Sequence, residues 1–262
     1  MSNIGKVFTT PGHRALITYL TVGYPDIETT LKVVPVLESC GCDLIELGIP
    51  FSDPLADGTT IQQASYHSLS HGTTPAKCLE VAESLRGNTS IPIVFMTYYN
   101  PIHSYGVEAF CRECERVGVS GLIVPDLPPE EGADLEDMAK RHSVDVIYLL
   151  APTSTEERVR EVAARSRGFI YLVSLTGVTG ARENLPSELE DFVRRVREHT
   201  TTPLCVGFGI STPEQARRVA QVADGVIIGS RLMQLLGEEN PLPKVEAFAS
   251  SLRSAISDGS RR

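Results

Sequence analysis

The chain has 262 residues, 42% hydrophobic and 22% charged, enough for one large core and incompatible with global disorder. Lys+Arg total 24 against 33 Asp+Glu, a net charge of -9, which speaks against a nucleic-acid or anionic-membrane surface but leaves phosphate on a small substrate open. Apolar runs such as 146–151 fall well short of the roughly 20 residues of a membrane helix, and the first residues show no secretory pattern, so a cytoplasmic protein is expected.

The predicted elements alternate in chain order. A strand over 15–20 (ALITYL) precedes a helix over 26–39, with Asp26 and Glu28 in its first turn. A second strand, 43–49 (DLIELGI), is followed by residues 50–74, too many for an ordinary strand-to-helix loop. There Ile61, Ala64, Ser65 and Leu69 have helical spacing and predict an extra short helix near the carboxyl ends of the strands. Thr74-Pro75 then opens a helix over 75–86, as an N-cap followed by proline at the first helical position. Strands at 91–97, 120–124, 144–150 and 169–173 alternate with helices at 107–117, 130–142 and 155–166, the last with Thr155 ahead of two glutamates as its start signal. A helix over 187–199 carries the stripe Leu189, Phe192, Val193 and Val196. Strands at 203–207 and 225–228 follow, with a helix over 213–222 between them opened by Thr212-Pro213, and a last helix over 241–256.

The strands are almost continuously apolar, as strands covered on both faces are. Strict alternation over residues 1–262 predicts one α/β domain, a (β/α)8 TIM barrel with an additional short helix after strand 2 and another after strand 8. The six cysteines, at 40, 42, 78, 111, 114 and 205, are expected to be reduced thiols. Cys111 and Cys114 have the spacing of a metal knuckle without a second pair, and His67 and His71 lack the glutamate of a zinc helix, so no metal site is expected.

In such a barrel the site lies at the carboxyl ends of the strands. Glu46, inside DLIELGIP, is an acid where burial is demanded, so it is either a satisfied buried ion pair or a working group. Asp53 and Asp57 follow in PFSDPLADG; Asp53 reads first as a turn or cap, whereas Asp57, before the extra helix, reads first as a substrate contact. Glycines recur after the last three strands, in SLTGVTG (174–180), GFGIST (207–212) and IIGSRL (227–232). Freed backbone amides there make a phosphate cradle without needing lysine or arginine. Neither GxGxxG nor GxxxxGK[ST] is present, and Lys32, Lys77 and Lys140 sit in predicted helices, so carboxylate acid–base chemistry is favoured over imine formation.

ALITYLTVGYPD, DLIELGIPFSDPLADGTTIQQA, FMTYYNPIHSYG, GLIVPDLPPEE, YLVSLTGVTGAR and GFGISTPEQA resemble, in order and spacing, the motifs of the tryptophan synthase alpha subunit family from about residue 14 to 237. The resemblance implies a carbon–carbon lyase that cleaves indole-3-glycerol phosphate into indole and glyceraldehyde 3-phosphate. It places the catalytic acids at Glu46 and Asp57, substrate contacts at Tyr19, Tyr171 and Phe208, and phosphate contacts at Gly180, Gly209, Gly229 and Ser230. Asp53, Tyr98, Asn100, Asp126 and Thr179 match interface or coupling positions. It further implies no cofactor in this chain, and a pyridoxal-phosphate (PLP) beta subunit in an alpha-beta-beta-alpha complex that receives the indole. Tyr19 stands where relatives carry phenylalanine, Leu175 where some have arginine, and Thr59 where proline is common. The alternatives are a standalone indole-releasing lyase, a catalytically silent activator of a beta subunit, and a related barrel such as indole-3-glycerol-phosphate synthase. The last would be expected to carry a catalytic lysine at an early strand end, and strand one has none.

Overall fold

The first strand, β1 (Ala15–Thr21), is buried at all seven positions, as a strand covered on both faces must be. β2 (Leu44–Gly48), β3 (Ile93–Met96), β4 (Val119–Ile123), β8 (Leu204–Gly207) and β9 (Gly225–Ile228) are equally buried, and the set is completed by β5 (Asp145–Ile147), β6 (Leu149–Leu150) and β7 (Ile170–Val173). The structure is a computed structural model that describes residues 2–173, 187–207 and 209–259.

The described strands pair in parallel in the order β5-β4-β3-β2-β1-β9-β8-β7-β6. The two ends of that sheet, β5 and β6, are successive pieces of one extended segment, so the chain itself closes the barrel. The single strand expected over 144–150 is therefore divided at Tyr148. That residue's amide donates to Ser166 Oγ at 3.1 Å instead of to a strand, while its carbonyl still accepts from Tyr171 N at 3.0 Å.

The flanking helices are α1 (Asn3–Val7), α2 (Ile27–Ser39), α3 (Thr59–Ser70), α4 (Pro75–Arg86), α5 (Tyr99–Tyr105), α6 (Val107–Val117), α7 (Ala133–Arg141), α8 (Glu156–Arg165), α9 (Ser187–Arg197), α10 (Pro213–Ala220), α11 (Ser230–Leu236) and α12 (Pro241–Gly259). Their starts follow the sequence signals: Asp26, Thr74, Thr155 and Thr212 each accept a backbone N–H in the first turn, and Thr212 forms a capping box with Gln215. The extra helices after strands 2 and 8 are α3 and α11. On α3 the buried face is Ile61, Ala64, Ser65 and Ser68; Leu69, placed in that stripe by its spacing, is only half-buried.

Two helices lie outside the sequence reading. α1 inserts the fully buried Ile4 at the amino end of the barrel, where a Cβ on Gly121 or Gly168 would come within 3.0 Å of it. α5 starts at Tyr99, whose amide is capped by Asp126 Oδ1 at 2.9 Å from another loop, a signal absent from the local sequence. The helix expected over 130–142 is a 3₁₀ turn (Pro129–Glu131) and then α7, separated by Gly132. Cys111 and Cys114 are buried on α6, and the His67 and His71 rings stack at 4.2 Å. Among the described residues no group of three or more His, Cys, Asp or Glu is placed to hold a metal, and no helix is long and apolar enough to cross a membrane.

Candidate active site

Glu46 occupies the middle of β2, facing the barrel interior with Tyr19 of β1 and Val94 of β3 as its register partners. It is 0% exposed, and neither carboxyl oxygen has a hydrogen-bond partner among the described residues. Among the described residues, the satisfied ion pair that the sequence left open has no counterpart. Burial penalises the charged form and pushes the Glu46 carboxyl up to about 8, so its neutral acid form is the dominant one near neutrality.

Asp57 reaches the same space from the loop before α3. Its carboxyl is pushed up to about 6, burial raising it against a hydrogen bond that Tyr98 donates to Oδ2 at 3.2 Å. The Tyr98 hydroxyl also accepts from Ala56 N at 2.8 Å, tying the acid and its loop to the end of β3. Sequence matching placed Tyr98 among coupling residues; the structure puts it in direct contact with Asp57.

Two tyrosines pack over glycines beside these acids. A Cβ on Gly48 would lie 2.1 Å from the Tyr19 hydroxyl, and one on Gly207 would lie 2.2 Å from the Tyr171 hydroxyl. The missing side chains let both rings lie across the neighbouring strand. Tyr19 is 8% exposed, and its hydroxyl pairs with Thr21 Oγ1 at 3.2 Å, the partner that a buried tyrosine hydroxyl needs. Burial raises both phenols well above the ordinary range, with Asp57 and Glu46 adding to the effect.

A cavity of about 250 Å³ joins these groups at the carboxyl ends of the strands. Tyr19, Asp57 and Tyr171 line one part; Gly209, Gly229 and Ser230 line another. Gly209 has φ +77, the left-handed region that glycine adopts without strain, and Ser230 opens α11. The sequence reading missed Ile61, Met96 and Ile227 in the apolar wall, and Arg231 with Gln234 beyond Ser230. Strand parity could have found Met96 and Ile227, since they alternate with outward-facing neighbours. Thr179, Gly180, Leu175 and Phe208 lie outside the described residues.

The remaining matched positions surround the mouth rather than line this cavity. Asp53 is exposed and accepts from Ser52 Oγ at 2.6 Å, Asn100 is exposed in the first turn of α5, and Asp126 holds Tyr99 N. Thr59 begins α3 and is exposed.

A parallel barrel with Asp57 lining a cavity at its carboxyl face, and with the buried carboxyl of Glu46 beside Tyr19 and Tyr171 that line it too, defines a barrel enzyme of the acid–base class. The chain matches the family described as tryptophan synthase alpha chain over residues 7–257. It is 57% identical over 256 residues to the tryptophan synthase alpha chain of Dehalococcoides mccartyi, covering 98% of this chain and 100% of that one. With the alpha chain of Geotalea uraniireducens it shares 47% identity, covering 98% of each. Among solved structures, tryptophan synthase subunit alpha from Legionella pneumophila superposes with a TM-score of 0.91 at 34% identity, covering 98% and 99% of the two chains. A Mycobacterium tuberculosis tryptophan synthase structure gives 0.90 at 39% identity, covering 97% and 98%. The chain belongs to the tryptophan synthase alpha chain family, and its activity is that family's lyase reaction, cleavage of indole-3-glycerol phosphate.

Proposed function

We propose that Glu46 and Asp57 divide the proton transfers of this cleavage. The observation that carries the reading is a fully buried carboxyl without a hydrogen-bond partner among the described residues, Glu46, whose register neighbour Tyr19 lines a cavity together with Asp57. Indole is a poor carbanion, so the ring must first be protonated at C3. Glu46, held as the acid by burial, gives that proton, and the ring becomes an iminium cation across C2 and N1. Asp57, largely anionic near neutrality, accepts the N1–H hydrogen bond and stabilises the new positive charge. The Glu46 carboxylate then removes the proton from the glycerol hydroxyl next to C3. The carbon–carbon bond breaks, its electron pair returns to the ring, and the hydroxyl carbon leaves as the aldehyde. The proton is back on Glu46, so the cycle closes with this chain's own side chains and calls for no cofactor in it.

Tyr19 and Tyr171 are assigned to the indole, and Gly209, Gly229 and Ser230 to the phosphate. Family resemblance assigns Phe208 and Gly180 beside them. Family membership implies a beta subunit as partner. We assign its docking surface to the barrel mouth, around Asp53, Asn100 and Asp126, where Leu55 is 91% exposed; family resemblance alone adds Thr179. An alpha-beta-beta-alpha complex in the cytoplasm, with PLP held by the beta subunit and indole passed to it, completes the proposal.

The test is a steady-state assay with indole-3-glycerol phosphate while a cognate beta subunit is titrated and association is followed. Turnover, association and stimulation together are expected. Turnover without association or stimulation would identify a standalone lyase; association without turnover would identify a silent activator.

A further inference from the structure

Beyond Gly229 and Ser230 the cavity wall continues onto α11, where Arg231 and Gln234 line it. Arg231 is the one cationic side chain among the described residues lining this cavity, which Asp57 lines as well. The chain as a whole carries a net charge of -9. A phosphate monoester brings roughly 1.5 to 2 further negative charges at neutral pH. Glycine amides and serine hydroxyls supply only partial charges against it, whereas a guanidinium supplies a full charge and a planar pair of donors.

Among the described residues no carboxylate pairs with Arg231. Its Nη1 donates to the neutral Gln234 Oε1 at 3.2 Å, and no carboxylate oxygen among the described residues lies within ion-pairing distance of it. Glu238, which feels its field, is bonded instead to Lys244 Nζ at 2.7 Å. The helix that carries Arg231 is anchored: Leu232 and Met233 are fully buried, and Thr21 N of β1 donates to Met233 Sδ at 3.4 Å. Arg231 itself is half-buried and lines the cavity.

We propose that Arg231 is a phosphate-binding and specificity-determining residue, supplying the full positive charge that selects a dianionic phosphate monoester over uncharged indole-glycerol compounds. This rests on the placement of the substrate phosphate beside Gly209, Gly229 and Ser230. Gln234 holds the guanidinium against the cavity wall between turnovers without neutralising it.

The test compares the full-length wild type with Arg231→Gln, Arg231→Lys and, as a surface control, Arg194→Gln, whose exposed arginine pairs with Asp191 on α9. Glycerol 3-phosphate binding is measured by calorimetry at two salt concentrations, and KM and kcat are measured with indole-3-glycerol phosphate. Arg231→Gln is expected to weaken glycerol 3-phosphate binding and to raise KM by about tenfold to a hundredfold, with a smaller effect on kcat and a shallower salt dependence. Arg231→Lys should fall between Gln and wild type, since it keeps the charge and loses the planar donors. Wild-type affinity and KM in Arg231→Gln overturn the assignment, while wild-type turnover leaves the reaction itself standing. Wild type that binds no glycerol 3-phosphate and turns over phosphorylated and dephosphorylated substrate equally overturns the phosphate placement and the role of Arg231 together.

Discussion

Tyr98 donates its hydroxyl proton to Asp57 Oδ2 at 3.2 Å while accepting the Ala56 amide at 2.8 Å. One phenol at the end of β3 therefore fixes both the carboxyl and the loop that carries it. It also opposes burial, which raises the Asp57 carboxyl. Tyr98→Phe should raise the acidic limb of the kcat/KM profile by about one pH unit and lower kcat/KM by about tenfold at pH 7, from loss of one hydrogen bond to a charged group. An unmoved acidic limb would separate Tyr98 from Asp57 function.

Glu46→Gln keeps shape and removes the transferable proton. Indole formation should fall by at least about 100-fold at saturating substrate. Near-normal kcat would reject Glu46 as the proton carrier.

The same variant makes a stability prediction of definite sign. A carboxyl pushed up to about 8 binds its proton more tightly in the folded than in the unfolded chain. Its contribution to stability is complete below the ordinary glutamate range and is lost as pH rises through about 8. Glu46→Gln, neutral throughout, should therefore melt higher than wild type by a margin that grows from pH 5 to pH 8.5, reaching at least about 3 °C. A constant or shrinking margin in a thermal melt series would contradict the burial account.

Activity requires Glu46 as acid and Asp57 as anion, so the pH profile should be bell-shaped, with limbs near about 6 for Asp57 and about 8 for Glu46. Activity falls below the first as Asp57 gains a proton and above the second as Glu46 loses one. Asp57→Asn should remove the acidic limb from its residual activity and leave the alkaline one, which rate measurements across pH 5 to 9.5 would check.

Gly48→Ala tests the close approach of Tyr19. The added methyl would lie 2.1 Å from the phenol oxygen and 2.5 Å from Tyr19 Cζ, so the ring must move into the cavity. kcat/KM should drop by at least about tenfold, as expected of a displaced substrate-positioning side chain. Tyr19→Phe, which loses only the bond to Thr21, should cost less than Gly48→Ala, and the reverse order would place the hydroxyl above ring position in importance.

The sequence by itself determined the layer architecture, because strands buried on both faces and helices buried on one write different periods into the chain. It also marked four helix starts through Asp26, Thr74, Thr155 and Thr212, whose capping bonds reach only three residues ahead. Glu46 stood out for the same local reason, as an acid among residues that require burial. What it could not say was whether that acid had found a partner, since the answer lay with β1, β3 and the loops beyond, and the fold leaves both oxygens without one among the described residues. Likewise only the tertiary structure decided that Tyr98 grips Asp57, that Asp126 starts α5 from a distant loop, that Tyr148 divides a strand, and that Arg231 lines the cavity. Each depends on a contact between segments brought together by closure of the barrel, and such contacts leave no period or neighbouring motif in the chain that makes them.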